Sequence, residues 1–263
     1  MMPRIEPGLI PVVTDLERGL RELGVRFGLV GALVPELLLA VRPPRKTNDV
    51  DVVAMVATIS DFEAVKERLG AFGFTRTTTP YQLKHRDGGR VDILPVGGNV
   101  APGGRLNLGD GFDLNMAGFD HVVPNAIEIP IEEGPTIPVA PLPLYVLLKL
   151  VAFTDRKASK DLGSVLHCLE HYLEDDDRRY DVDHEGAGIP YDYTCAYMLG
   201  VDGQPFLDAM LRQTVTAILD RFDEADADVV GIATGEKGRL YVDDEGRTKT
   251  FELFRWYRLG AGL

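Results

Sequence analysis

The chain has 263 residues, 45% of them hydrophobic, enough to bury a sizeable core in one large domain or two modest ones. A net charge of −13 argues against a general nucleic-acid coat, because phosphate binding needs clustered Lys and Arg; local basic stretches remain, RPPRK at 42–46 and RKASK at 156–160. Two cysteines, Cys168 and Cys195, give no disulfide framework, and no apolar run approaches membrane-spanning length or a signal-peptide core, so a soluble cytoplasmic protein with no membrane partner is expected.

Residues 9–23 (LIPVVTDLERGLREL) have the apolar spacing of an amphipathic helix stopped by Gly24. VRFGLVG, 25–31, is a short apolar strand ending on Gly31, and ALVPELLLAV follows as a helix that tolerates Pro35 within its first turn. Residues 48–56 form a second strand. SDFEAVKERLGAF opens with a capping box, Ser60 with Glu63, and is helical. GFTRTTT, YQLKHR and RVDILPV read as strands, the last two joined by a hairpin turn at Asp87-Gly88-Gly89. The glycine-rich stretch 97–118 reads as a loop. AIEIPIEEGPTIPVA reads as a hairpin turning at Glu133-Gly134.

From Pro141 the period becomes helical, in PLPLYVLLKLVAFTDR and KASKDLGSVLHCLEHYL. Residues 174–186 are an acidic linker, and QPFLDAMLRQTVTAILDRF is a late amphipathic helix. Periodicity does not decide between strand and helix for 228–263. The expected fold is α+β: a mixed β-sheet with flanking helices over 1–140, then a mainly helical domain, 141–263, that completes a cleft.

One stretch carries chemistry. In KTNDVDVV, 46–53, Asp49 and Asp51 flank Val50 in a β-branched run, so on a strand both carboxylates share a face while Val50 and Val52 turn to the core. Asp92, in RVDILP, also sits between apolar residues on an expected strand. If that strand pairs near 48–53, three carboxylates converge; a divalent cation relieves their repulsion, and hard oxygen ligands suit Mg²⁺. Two such ions roughly 3.5–4 Å apart serve in-line displacement at phosphorus. Upstream, the strand–Gly31–helix turn lets backbone N–H groups face a triphosphate.

The order VGA, TNDVDVV, VDI resembles the nucleotidyltransferase superfamily of the polymerase-β type: hydrophobic-Gly-Gly/Ser, then Asp-x-Asp/Glu, then a lone acid between apolar residues. IPVAPLPLYVLLKLVAFTDRKASKDLGSVLHCLEHY resembles more specifically the AbiEii-type (abortive-infection toxin) nucleotidyltransferases, through Lys149, Ala152, Arg156, Lys160 and Asp161. The likeness spans roughly 25–175. It departs at position 32, an Ala where the family usually has Gly or Ser, which removes a hydroxyl contact to phosphate and leaves backbone contacts.

The resemblance implies a metal-dependent transfer of a nucleoside monophosphate from an NTP to an acceptor hydroxyl. Asp49, Asp51 and Asp92 would hold Mg²⁺ or Mn²⁺, with Asp92 also helping to activate the acceptor. Gly31, Ala32 and Thr47 would lie at the nucleotide, and Lys149, Arg156 and Lys160 would neutralise phosphate charge. The implied acceptor is RNA, tRNA ends included, in a toxin–antitoxin setting with an antitoxin protein as partner. The chain's acidity instead suits a cationic, aminoglycoside-like small molecule, and Ala32 suits a non-catalytic binding subunit of the same fold.

Plainer roles stand beside these. Asp49 and Asp51 could be strand carboxylates bonded to backbone amides; Lys149 could snorkel from an apolar helix face; Asp161 could cap or pair with a lysine; Thr47 and Arg45 could be ordinary loop residues. DVDHEGAGIPYD, 181–192, comes close to an EF-hand loop but has Asp192 at the twelfth place and an intruding Pro190. His167 and His171 are spaced i, i+4 without a third ligand, and Cys168 is expected to be buried.

Overall fold

The computed structural model describes residues 5–44, 47–109, 111, 113–173, 177–223 and 244–263. Its contacts divide the chain into two units, Met1–Leu38 with Pro44–Tyr145 and Leu39–Pro43 with Val146–Leu263.

The first unit is built on a mixed sheet, seven-stranded among the described residues. Its strands are β1 (Phe27–Val30), β2 (Asp49–Met55), β3 (Phe74–Arg76), β4 (Gln82–His85), β5 (Arg90–Val96), then a short separate pair, β6 (Arg105–Asn107) with β7 (Asp113–Asn115), and finally β8 (Ile127–Pro130) and β9 (Thr136–Val139). The order across the main sheet is β3-β4-β5-β2-β1-β9-β8. β2 runs parallel to β5 and β1 parallel to β9, while β1 and β2 are antiparallel. In β2, Val50, Val52, Val53 and Ala54 are buried while Asp49 and Asp51 are half-buried, so the polar-apolar alternation holds at the strand's start and both faces are covered beyond it. Ile93, Val91 and Leu83 continue this core under β5 and β4.

Helices α1 (Ile10–Glu22), α2 (Leu33–Leu38), α3 (Ile59–Arg68) and α4 (Val122–Asn125) belong to this unit. α1 buries Val12, Val13, Leu16 and Leu20 along one stripe, as its spacing requires. α2 is six residues long, shorter than the run ALVPELLLAV suggested, so the turn before it has little helix dipole behind it. The expected Ser60–Glu63 capping box is not the cap of α3. Thr58 fills that role, its hydroxyl accepting the Asp61 N–H at 3.1 Å. Glu63 pairs instead with Lys66 and Arg76, at 2.7 and 2.6 Å. Within 97–118, expected as loop, β6 and β7 form a short hairpin fixed by an Arg105–Asp113 pair at 2.9 Å.

The second unit is mainly helical. It holds most of α5 (Leu142–Arg156), then α6 (Ser159–His171), α7 (Thr194–Gly203), α8 (Ala209–Asp223) and α9 (Asp244–Ala261). α7 went unforeseen, because TCAYMLGVDG is short, carries two glycines and lacks a polar face. It packs on α9 backbone to backbone at Gly200 and Gly260. The tail expectation over 228–263 resolves to a helix from Asp244; residues 224–243 lie outside the described residues, as do Arg45 and Lys46 of the first basic stretch and 174–176 of the acidic linker. In the EF-hand-like stretch, Asp183 accepts the Gly186 N–H at 2.8 Å, a plain turn contact. Among the described residues no helix is long and apolar enough to cross a membrane.

Candidate active site

The β2–β5 register brings the expected carboxylates together at the level of backbone. Asp51 is the register partner of Asp92, and Asp49 that of Arg90. Partners in adjacent strands point to the same face, at a strand spacing of about 4.8 Å. The neighbouring pairings extend this into a row across four strands, Val30–Asp51–Asp92–Gln82. Two residues along the strands, on the same face, lies a second row, Asp49–Arg90–Lys84.

Gly31 closes the row at one end. Its φ of +77° is a left-handed conformation that favours glycine, and a Cβ there would lie 2.0 Å from Asp51 Oδ2. The Asp51 carboxylate therefore packs directly on the Gly31 backbone, at the turn where Val34 N–H meets Gly31 C=O at 3.1 Å. Ala32 follows in the same turn. Thr47 braces the start of β2: its hydroxyl accepts the Asp49 N–H at 3.3 Å and reaches the Asp49 carbonyl at 3.2 Å. At the other end of the row, Gln82 Nε2 donates to Asp92 Oδ1 at 2.9 Å.

A divalent cation fits the donor chemistry and the register: hard carboxylate oxygens on adjacent strands, beside a turn that a Cβ would block. Among the described residues, however, no three Asp, Glu, His or Cys side chains are gathered as a ligand group. What the backbone secures is the Asp51–Asp92 pair, with Asp49 one row away.

The helical residues form their own cluster in the second unit. Asp161, in the first turn of α6, is fully buried; Lys149 Nζ lies 3.3 Å and Arg156 Nη2 2.8 Å from its Oδ1. Lys149 and Arg156, seven residues apart on α5, thus share a face. Asp161 Oδ2 is buried with no hydrogen-bond partner among the described residues. Lys160, one residue before, is exposed. His167 is tied to the Val41 carbonyl at 3.0 Å, and its ring lies 4.6 Å from that of His171. Cys168 is buried as expected; burial pushes its thiol up, against a smaller pull from Lys149, so it is no ready nucleophile.

The sequence did not single out Gln82, Arg90 or Lys84. A signal existed, since YQLKHR and RVDILPV were read as one hairpin: its antiparallel register sets Gln82 opposite Asp92 and Lys84 opposite Arg90.

No family model matches the chain, and no curated protein matches it. Similar solved structures include an antigenic nucleotidyltransferase-like protein from Paracoccidioides brasiliensis, at 16% identity over 88% of this chain and 94% of that one, TM-score 0.42. The antibiotic-resistance factor ANT(2'')-Ia is 12% identical over 84% of this chain and 96% of that one, TM-score 0.37. The CdnE cyclic dinucleotide synthase of Elizabethkingia meningoseptica, solved with GTP and Apcpp, is 12% identical over 100% of this chain and 96% of that one, TM-score 0.31. Likenesses at this level decide neither activity nor substrate.

Proposed function

We propose that the chain is a polymerase-β-type nucleotidyltransferase that moves a nucleoside monophosphate from an NTP to an acceptor hydroxyl. The observation that carries this is the row Asp51–Asp92 with Asp49 on the same face, beside a Gly31 turn pressed against the Asp51 carboxylate. Asp49, Asp51 and Asp92 would hold Mg²⁺ or Mn²⁺, which when bound supplies charge neutralisation on the triphosphate. The Gly31–Ala32 backbone would face phosphate, with Gly31 adding no side chain of its own. Asp92 would accept the acceptor's hydroxyl proton as that oxygen attacks the α-phosphorus; the bond to the bridging oxygen breaks and pyrophosphate leaves. Thr47 holds Asp49's backbone in place for this.

Lys149, Arg156 and Lys160 are assigned to phosphate charge through the AbiEii-type resemblance. Lys149 and Arg156 both set a positive charge against the Asp161 carboxylate, and Arg156 is the exposed member. On that resemblance the protein would be a cytoplasmic toxin with an antitoxin partner.

For the acceptor, exposed Arg90 and Lys84 on the carboxylate face favour RNA, despite the acidic chain. The net charge of −13 favours the second reading, a cationic, aminoglycoside-like acceptor. Ala32 motivates a third, a non-catalytic subunit. Incubation with labelled NTP, Mg²⁺ and either total RNA or an aminoglycoside separates them. Label on RNA, reduced in the Arg90→Glu, Lys84→Glu double variant, supports the RNA acceptor; label on the small molecule alone overturns it. Absence of Mg²⁺–NTP binding by calorimetry selects the non-catalytic subunit.

A further inference from the structure

We infer that Gln82 is a positioning residue for Asp92, fixing the carboxylate toward cation and acceptor; this rests on the active-site reading above. The contact is direct, Gln82 Nε2 to Asp92 Oδ1 at 2.9 Å, between register partners on β4 and β5. A carboxylate can only accept here, so the amide must turn its nitrogen to Asp92. Because a carboxylate is rigid and planar, holding Oδ1 also sets the direction of Oδ2.

The donor arrives from an anchored backbone. Gln82 N–H donates to the Thr79 carbonyl at 3.0 Å, and Gln82 C=O accepts from the Thr77 N–H and hydroxyl, both at 3.3 Å. Alongside, Ile93 N–H donates to the Tyr81 carbonyl at 2.8 Å, which clamps β5 next to Asp92.

The choice of a neutral donor is informative. A lysine or arginine at 82 would hold Asp92 equally well and would repel a cation bound there. Cations do occupy the adjoining row, at Arg90 and Lys84. An amide orients the carboxylate and leaves its charge available, which is how hydrogen-bonded supports tune ligating carboxylates, with roughly 10- to 100-fold effects on metal affinity when removed.

The test is Mn²⁺ titration of the full chain followed by electron paramagnetic resonance, with transfer kinetics in parallel. Gln82→Met keeps the side chain's length and removes the donor; it should weaken Mn²⁺ binding about tenfold or more and lower kcat more than it raises the KM for NTP. Thermal unfolding should be unchanged. Gln82→His, which restores an N–H donor at similar reach, should recover most of the affinity. If Gln82→Met does not fold, Gln82→Val removes the donor with a residue suited to strands. Wild-type Mn²⁺ affinity in the donor-less variant overturns the inference while leaving the active-site reading in place. A wild-type protein that binds no Mn²⁺, or an Asp51→Asn variant that binds it equally well, overturns both.

Discussion

Gly31 and Asp51 are packed so closely that no side chain fits between them: a Cβ on Gly31 would lie 2.0 Å from Asp51 Oδ2 and 2.6 Å from Asp51 Cβ. Glycine at the end of β1 is therefore demanded twice, by its φ of +77° and by the carboxylate beside it.

Gly31→Ala should cost more than the strain of a left-handed residue, which is about 1–2 kcal/mol. Gly88→Ala is the control, since Gly88 also has positive φ, +101°, with nothing within 4 Å. Overpacking adds typically 1–3 kcal/mol at Gly31. Asp51→Ala should not rescue the variant, because the Cβ of residue 51 remains in the way. Urea midpoints measure all three; equal losses for Gly31→Ala and Gly88→Ala would show that the Asp51 contact is loose.

Asp161→Asn should destabilise the fold by about 3 kcal/mol, since it leaves the mostly buried Lys149 ammonium facing a neutral group. Lys149→Met should cost less, because Arg156 still compensates the Asp161 charge at 2.8 Å. Denaturant unfolding ranks the two. The reverse order would mean that Lys149, and not Asp161, is the charge the interior is built around.

The Glu63 carboxyl gives a pH prediction. Partial burial pushes it up, but hydrogen bonds from Lys66 and Arg76 outweigh that and hold it below the usual carboxylate range. A depressed folded-state value means that the stabilisation is present above the unfolded value and is lost as pH falls through the folded one. Glu63→Gln should therefore lower the Tm at pH 7, with the deficit shrinking as pH falls below the ordinary glutamate range toward the depressed folded-state value. A pH-independent deficit would assign the effect to packing.

Gly260→Ala tests the crossing of α7 and α9. A Cβ there would lie 2.0 Å from the Tyr197 carbonyl oxygen, and one on Gly200 2.3 Å from that of Tyr257. Alanine favours helix by about 1 kcal/mol over glycine, but forcing the two backbones apart costs typically 1–3 kcal/mol or more, so net destabilisation is expected. A more stable variant would show that the helices separate easily.

What the sequence disclosed follows the range of the interactions. Asp49 and Asp51 were legible because a strand's period of two puts them on one face while Val50 and Val52 are buried. That Asp92 stands opposite Asp51 is a non-local register, conditional until the β2–β5 pairing was seen. Gln82 lay within reach of the sequence, opposite Asp92 in a hairpin the turn already marked, but only the exact antiparallel register shows the contact. Thr58 and Ser60 both suit a cap, and only the backbone turn chooses Thr58. Asp161's burial depends on how α5 and α6 meet, which no spacing reports.

The most direct measurement of the central claim compares transfer from NTP labelled at the α-phosphate with transfer from NTP labelled at the γ-phosphate. The protein, Mg²⁺ or Mn²⁺ and total RNA would be present in both reactions. The nucleotidyltransferase account predicts that α-label becomes attached to the acceptor, γ-label leaves in pyrophosphate, and both events stop with Asp51→Asn. Attachment of the γ-label, or α-transfer undiminished in Asp51→Asn, would contradict it.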